Sequence, residues 1–134
     1  MVVEEYLAAV VAHDWDALRR CLREDVVRNG PFRDEYRGRD DYVAFLAELM
    51  PTLPGYSMDV TRVTYSDDGR LAFAELAETV DVGGSPLRTE ESLVFELDAD
   101  ERIEHIDIYI KTNAERPPRS LSPQGLGGEV SEET

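Results

Sequence analysis

The sequence predicts an α+β fold in which three N-terminal helices are followed by an antiparallel β-meander. Up to Pro54, apolar residues recur at three- and four-residue steps, which is the spacing of amphipathic helices. After Pro54, apolar and polar residues alternate, which is the spacing of half-buried strands. The chain has 134 residues with a hydrophobic content of 42%, enough for one domain with its own core.

The three helices are predicted from their periodicity and their caps. The first covers about residues 3–12 and ends before His13, which is therefore a capping or surface residue rather than a catalytic one. The second begins after Asp14, a residue type that caps helix N-termini. The third covers about residues 40–50, with Asp40 as its predicted N-cap.

Strands are predicted between and after the helices. A short strand over 25–29 ends at the turn signal Asn29-Gly30-Pro31. Four further strands are predicted over about residues 56–66, 70–82, 87–98 and 103–112.

Composition and charge exclude several functional classes. The formal net charge of −15 argues against nucleic acid and anionic membranes as partners, because both attract proteins through Lys and Arg. The single cysteine, Cys21, lies on an apolar helix face and is predicted to be a core residue. With only two histidines in addition, we expect neither a disulfide framework nor a metal site, and no cofactor.

The N-terminal and C-terminal segments allow predictions of the cellular location and of the bounds of the folded domain. The N-terminus has neither a basic region nor an apolar run of signal-peptide type, so a cytoplasmic protein is expected. Residues 114–134 are rich in Pro, Gly, Ser and Glu and are predicted to form a disordered acidic tail. The folded domain is therefore predicted over residues 1–113.

The hairpin in the middle of the meander predicts an unusual pair of acids. With Gly84-Ser85 as a type II′ loop, one face of both strands is apolar, except that Glu78 lies directly opposite Glu91. Two carboxylates about 5 Å apart in a low-dielectric lining share a proton or hold a cation between them. A protonated carboxyl beside an ionised one is suited to general acid–base chemistry. The structural alternative is a pair at a wet cavity mouth, or one neutralised by Arg28 or Arg62.

The alternation in the last predicted strand indicates a second functional surface, on the outer face of the sheet. Ile106, Ile108 and Ile110 form one face, and the opposite face carries His105, Asp107 and Tyr109. This polar and aromatic outer face is the predicted contact of a homodimer.

The order and spacing of short motifs resemble those of SnoaL-like domains in the nuclear-transport-factor-2-like superfamily. The motifs are His13-Asp14-Trp15-Asp16-Ala17-Leu18, Glu24-Asp25-Val26-Val27, Tyr36-Arg37-Gly38-Arg39-Asp40-Asp41-Tyr42, and Arg102-Ile103-Glu104-His105-Ile106 with Tyr109. The resemblance covers about residues 3–113. It implies a cone-shaped barrel, in which a curved antiparallel sheet wraps around the three helices, leaves an apolar pocket and forms dimers through its outer face.

Known members of this superfamily include ketosteroid isomerases, polyketide cyclases, limonene epoxide hydrolases, dehydratases and binding domains, so fold alone does not decide function. The resemblance places Tyr6 at the oxyanion-hole tyrosine of the isomerases. Their general base falls on Gly30 and their protonated acid on Leu93, which have no acidic group. The last-strand acid of the epoxide hydrolases falls near Ile108, although Asn29 matches their water-positioning asparagine. Neither chemistry is reproduced.

A polar constellation nevertheless remains inside the predicted cone. Its candidate catalytic residues are Glu78, Glu91 and Tyr6, and its candidate ligand-binding residues are Arg28, Asn29, Tyr42 and Thr89. The first hypothesis is a cofactor-free cyclase, isomerase or hydrolase-type enzyme for a small apolar or polyketide-like molecule. The two glutamates would move a proton and Tyr6 would donate a hydrogen bond to an oxyanion. The alternative is a non-catalytic ligand-binding or dimeric assembly module.

Overall fold

The computed structural model describes residues 1–112 and confirms the α+β class; the predicted tail over 114–134 lies outside the described residues. The helices are α1 (Val2–Ala12), α2 (Trp15–Cys21) and α3 (Arg39–Leu49), followed by a 3₁₀ turn over Met50–Thr52. The strands are β1 (Leu22–Asn29), β2 (Glu35–Arg37), β3 (Ser57–Tyr65), β4 (Leu71–Val82), β5 (Ser85–Leu97) and β6 (Ile103–Ile110). None of the helices in this part of the chain is long and apolar enough to cross a membrane.

All six strands form one sheet in the order β2-β1-β6-β5-β4-β3. Neighbouring strands are antiparallel except β1 and β6, which run parallel, so the sheet is mixed rather than purely antiparallel. The predicted meander corresponds to β3–β6. The short strand β2 was not predicted, because three residues are too few for an alternation pattern.

The helix caps follow the prediction at two of three positions. The Asp14 carboxylate accepts a hydrogen bond from the Ala17 backbone at 3.1 Å and caps α2. His13 ends α1 in the left-handed region, with φ 57°, which confirms its capping role. The prediction that Asp40 caps α3 is wrong. Gly38, with φ 97°, takes the N-cap position, and Asp40 lies in the first turn, where a carboxylate interacts favourably with the helix dipole.

The loop of the β4–β5 hairpin differs from the predicted one. Val82 pairs with Ser85, so the two loop residues are Gly83 and Gly84 rather than Gly84 and Ser85. Both glycines have positive φ, 60° and 86°, as a type I′ turn requires. The true register is therefore shifted by two residues from the predicted one.

Because of this shift the predicted pairing of Glu78 with Glu91 is wrong, but both residues lie on the predicted face of the sheet. Glu78 lies opposite Thr89, and Glu91 lies opposite Leu76, so the two acids are diagonal neighbours and do not face each other directly. Because side chains alternate with a period of two, an even shift keeps both acids on the inner face.

The core lies between the helices and this inner face of the sheet. Fully buried side chains from both layers include Leu18, Tyr42, Phe95 and Ile106. Cys21 belongs to the same core, and burial raises the pKa of its thiol to about 11. It is therefore an unreactive core residue, as predicted.

Candidate functional site

A cavity of about 150 Å³ lies between the helices and the inner face of the sheet. Its walls are mainly aliphatic side chains of α1, α3, β4 and β5. Six polar or ionisable residues interrupt this lining: Tyr6, Arg28, Tyr42, Tyr56, Glu78 and Glu91. An apolar cavity of this size can hold a molecule of about the size of benzene.

The two glutamates form a hydrogen-bonded pair in the cavity wall. Glu78 on β4 and Glu91 on β5 are both only partly exposed. Burial raises the pKa of Glu91 to about 9, and the hydrogen bond with Glu78 and the charge of Glu78 act in the same direction. Arg28 opposes these effects. At neutral pH Glu91 is therefore protonated and donates a hydrogen bond to Glu78.

Tyr56 is a third member of this group, and it was missed by the sequence analysis. Its hydroxyl donates a hydrogen bond to the Glu78 carboxylate. Burial and the charge of Glu78 raise the pKa of Tyr56, so it stays a neutral donor. Met58, two residues further along, pairs with Glu78 on the neighbouring strand, so strand alternation through β3 was the signal that could have found Tyr56.

The segment before Tyr56 holds it in place. The backbone N–H of Asp81 donates to the Pro54 carbonyl at 2.8 Å. Gly55 adopts φ +66°, and a Cβ at that position would lie 2.5 Å from an Asp81 carboxylate oxygen. A glycine is therefore suited to this turn both by its backbone angle and by the space available.

Tyr6 on α1 and Tyr42 on α3 form a second polar pair, whose hydroxyl oxygens are 2.5 Å apart. The two residues are 3% and 2% exposed, and burial raises the pKa of each phenol. Only one proton is needed for the hydrogen bond between them. The other hydroxyl proton can therefore be donated to a ligand in the cavity.

Arg28 on β1 places a cation beside the Tyr42 phenol. Its side chain is 10% exposed, and Nη1 donates to Asp34 Oδ2 at 2.7 Å. The guanidinium carbon lies 5.9, 5.6 and 5.5 Å from the ring centroids of Tyr36, Tyr42 and Phe45. Burial would raise the pKa of Asp34, but the hydrogen bond and charge of Arg28 outweigh it and lower the pKa. Arg28 Nε is buried and has no hydrogen-bond partner in the described part of the chain.

Two of the predicted ligand-binding residues lie outside the cavity lining. The Asn29 amide donates to Asp107 Oδ1 at 3.0 Å and lies 3.3 Å from His105 Nε2, on the outer face of the sheet. Its prediction as a residue inside the cone is wrong, because consecutive strand residues alternate and Arg28 takes the inward position. Thr89 lies opposite Glu78 near the hairpin end, and its side chain does not reach the cavity wall.

The alternative neutralising partners of the carboxyl pair are not in contact with it. Arg62 forms an exposed ion pair with Glu75 at 3.0 Å, and Arg28 is paired with Asp34. Within residues 1–112, no group of three or more His, Cys, Asp or Glu side chains is arranged to hold a metal ion. The polar groups of the cavity instead form two hydrogen-bonded sets, one acidic and one phenolic beside a guanidinium.

These features define a class of protein: three N-terminal helices on a six-stranded, mostly antiparallel sheet are typical of the nuclear-transport-factor-2-like cone fold. The family model of the SnoaL-like domain matches residues 3–106, and the chain belongs to that family. The resemblance found in the sequence is thereby confirmed. No curated protein matches the chain.

Several solved structures share this fold. An LEH-like epoxide hydrolase of M. tuberculosis is 24% identical with a TM-score of 0.70, and the match covers 82% of this chain and 80% of that one. A Kribbella flavida protein assigned as a ketosteroid isomerase is 20% identical, with a TM-score of 0.72 and coverage of 98% and 89%. A Catenulispora acidiphila protein with a ketosteroid isomerase-like fold, in complex with trimethylamine, is 15% identical, with a TM-score of 0.70 and coverage of 81% and 83%. At these identities the likeness shows the fold alone.

Proposed function

We propose that the chain is a cofactor-free enzyme that moves protons on a small molecule held in the cavity. The observation that carries this proposal is the Glu78–Glu91 pair: two carboxyl groups lie side by side in an apolar wall, where burial and Glu78 raise the pKa of Glu91 to about 9. Such a pair supplies a general acid and a general base at neutral pH.

Each polar group has a role in this chemistry. The Glu78 carboxylate removes a proton from carbon next to a carbonyl group, and the electron pair moves onto the carbonyl oxygen. The free hydroxyl proton of the Tyr6–Tyr42 pair stabilises the resulting oxyanion. Glu91 then returns a proton, either to another carbon, which gives isomerisation, or to a leaving hydroxyl group, which gives dehydration. Cyclisation and epoxide opening need the same acid and base.

The cavity volume narrows the choice of ligand. About 150 Å³ is well below the roughly 300–1,000 Å³ of sites for drug-sized molecules. A ligand built on one ring therefore fits this cavity better than a polycyclic, polyketide-like molecule does.

Exchange of carbon-bound protons tests the proposal without knowledge of the final product. We expect the protein in D₂O to accelerate α-proton exchange of compact cyclic ketones, measured by NMR. Glu78→Gln and Glu91→Gln should each lower this rate about 100-fold or more. Glu75→Gln is the matched control, because Glu75 lies on the same strand but is exposed and paired with Arg62. Rates unchanged in both cavity variants would contradict the proposal.

A second candidate function is a binding module for a small organic ammonium. The observation in its favour is the combination of two carboxyl groups with the rings of Tyr6, Tyr42 and Tyr56 in one small cavity, since cations bind to aromatic faces and carboxylates. The neighbour crystallised with trimethylamine adds to this candidate. Binding of trimethylammonium without any proton exchange would favour it over the enzyme.

We also propose that two copies of the chain associate through the outer sheet face around His105, Asp107 and Tyr109. Tyr109 is 59% exposed on this face, and Leu71 and Phe73 are exposed apolar side chains on the outer face of β4. A groove of about 410 Å³, bordered in part by Tyr109, crosses the same face. Sedimentation velocity would measure the association.

A further inference from the structure

We propose that the ligand of this cavity is a small organic carboxylate, and that Arg28 binds its carboxylate group. This inference rests on the proposed function only because it takes the same cavity as the ligand site. It goes further by naming the chemical class of the ligand and the end of the cavity at which its charged group lies.

The first argument is the incomplete hydrogen bonding of Arg28. The guanidinium lines the cavity and its side chain is 10% exposed, yet Asp34 takes only a single bond, from Nη1. The Nε atom is buried and has no partner among the described residues. Buried donors in proteins are nearly always paired, so an unpartnered one indicates a missing acceptor. A guanidinium presents its N–H donors as a planar fork that matches the two oxygens of a carboxylate.

The second argument is the surroundings of this cation. The rings of Tyr36, Tyr42 and Phe45 lie within 6 Å of the guanidinium carbon, so its plane is fixed before a ligand arrives. Asp34 binds the guanidinium through Oδ2 alone, and its Oδ1 accepts from the Phe32 backbone N–H at 3.2 Å. A carboxylate bound at Arg28 would also lie near the hydroxyl of Tyr42, a further donor.

The third argument is the polarity of the rest of the cavity. Apart from the tyrosine hydroxyls the walls are apolar, and the volume of about 150 Å³ leaves room for a body of about one ring. The negative charge of the acid pair repels a carboxylate from that end, so only one orientation of the ligand is favourable. In this orientation the carbon skeleton faces the acid pair and the carboxylate faces Arg28.

Binding measurements with three probes of one shape test the inference. Benzoate, benzamide and benzylammonium share a ring and differ in charge, and their binding to the full chain can be measured by calorimetry or NMR at neutral pH. We expect benzoate to bind at least tenfold more tightly than either of the others. Equal binding of benzamide, tighter binding of benzylammonium, or no binding of benzoate would overturn the inference.

Variants then test the role of Arg28. Arg28→Gln should weaken benzoate binding at least tenfold, and Arg28→Lys should restore it only in part, because an ammonium lacks the fork. Arg62→Gln, which removes an exposed Arg from an ion pair, should leave binding unchanged. If Arg28→Gln does not fold, as judged by circular dichroism, the probe series on the unmodified chain and Arg28→Lys still decide.

Failure of this inference and failure of the proposed function give different results. Loss of carboxylate selectivity with intact, Glu91-dependent proton exchange removes the ligand class and leaves the enzyme. Carboxylate binding with no exchange leaves the ligand class and removes the enzyme.

Discussion

Replacement of Glu91 by Gln should abolish a specific pH dependence of stability. In the unfolded chain this carboxyl has its usual pKa of 4.5, whereas burial and Glu78 raise it to about 9 in the fold. Between these two values the unfolded chain has released the proton and the folded chain still holds it. The free energy of unfolding therefore decreases as pH rises through this window, by up to about 1.4 kcal/mol per pH unit.

The magnitude depends on how fully the pair is shielded from water. The full shift corresponds to about 6 kcal/mol, and partial exposure together with shared protonation reduces the expected effect to about 3 kcal/mol. Glu91→Gln cannot ionise, so at pH 9 the variant should be more stable than the unmodified protein by about this amount. At pH 5 the two should differ much less.

Urea unfolding at pH 5, 7 and 9 measures this difference directly. Ionisable groups that the two proteins share cancel when the curve of the variant is subtracted. Glu75→Gln serves as control, because that exposed carboxyl is paired with Arg62 and should leave the pH slope unchanged. Parallel stability curves for the unmodified chain and Glu91→Gln would refute the assignment of a shared proton to the pair.

Three further predictions concern the scaffold. Asp14→Ala removes the side-chain cap of α2 and should lower the free energy of unfolding by about 1 kcal/mol, measured by urea denaturation. Gly55→Ala should destabilise the fold by about 1–2 kcal/mol through its positive φ, and by more than Gly69→Ala, because only Gly55 faces the Asp81 carboxylate. An equal loss at both glycines would show that the contact contributes nothing. Tyr109→Asp should shift sedimentation towards the monomer; an unchanged profile would place the dimer contact elsewhere.

The helices and long strands could be predicted from the sequence because their signals are local. The period change after Pro54 separates the helical half from the meander, and Asp14 marks the start of α2. The parallel pairing of β1 with β6 could not be predicted in this way, because it joins residues 78 to 81 positions apart in the chain and leaves no alternation signal of its own.

The sequence predicts on which face of the sheet Glu78 and Glu91 lie, but it does not predict which residues lie opposite them. Two neighbouring glycines allow either Gly83-Gly84 or Gly84-Ser85 as the loop, and the two registers differ by an even number of residues. Both choices keep Glu78 and Glu91 on the inner face, so alternation cannot distinguish them. The type I′ preference for positive φ at both loop residues decides for Gly83-Gly84.

Contacts between residues that are far apart in the chain could not be predicted from sequence patterns. Arg28 was identified as a candidate ligand-binding residue, but its bond to Asp34 depends on the turn that brings β2 back to β1. The Tyr6–Tyr42 contact likewise depends on how α1 and α3 pack. In the sequence each of these tyrosines fits the apolar face of its own helix, and nothing indicates that they meet.

The energetics of the cavity favour a functional origin for its polar groups. Glu78 and Glu91 have no cation at hydrogen-bonding distance in the described residues, and Arg28 keeps an unpartnered Nε although the core around it is apolar. Each feature destabilises the fold relative to an apolar side chain of similar size. The two sets lie in the wall of one cavity, and they differ in charge. A ligand with an acceptor at one end and an exchangeable proton at the other would satisfy both sets.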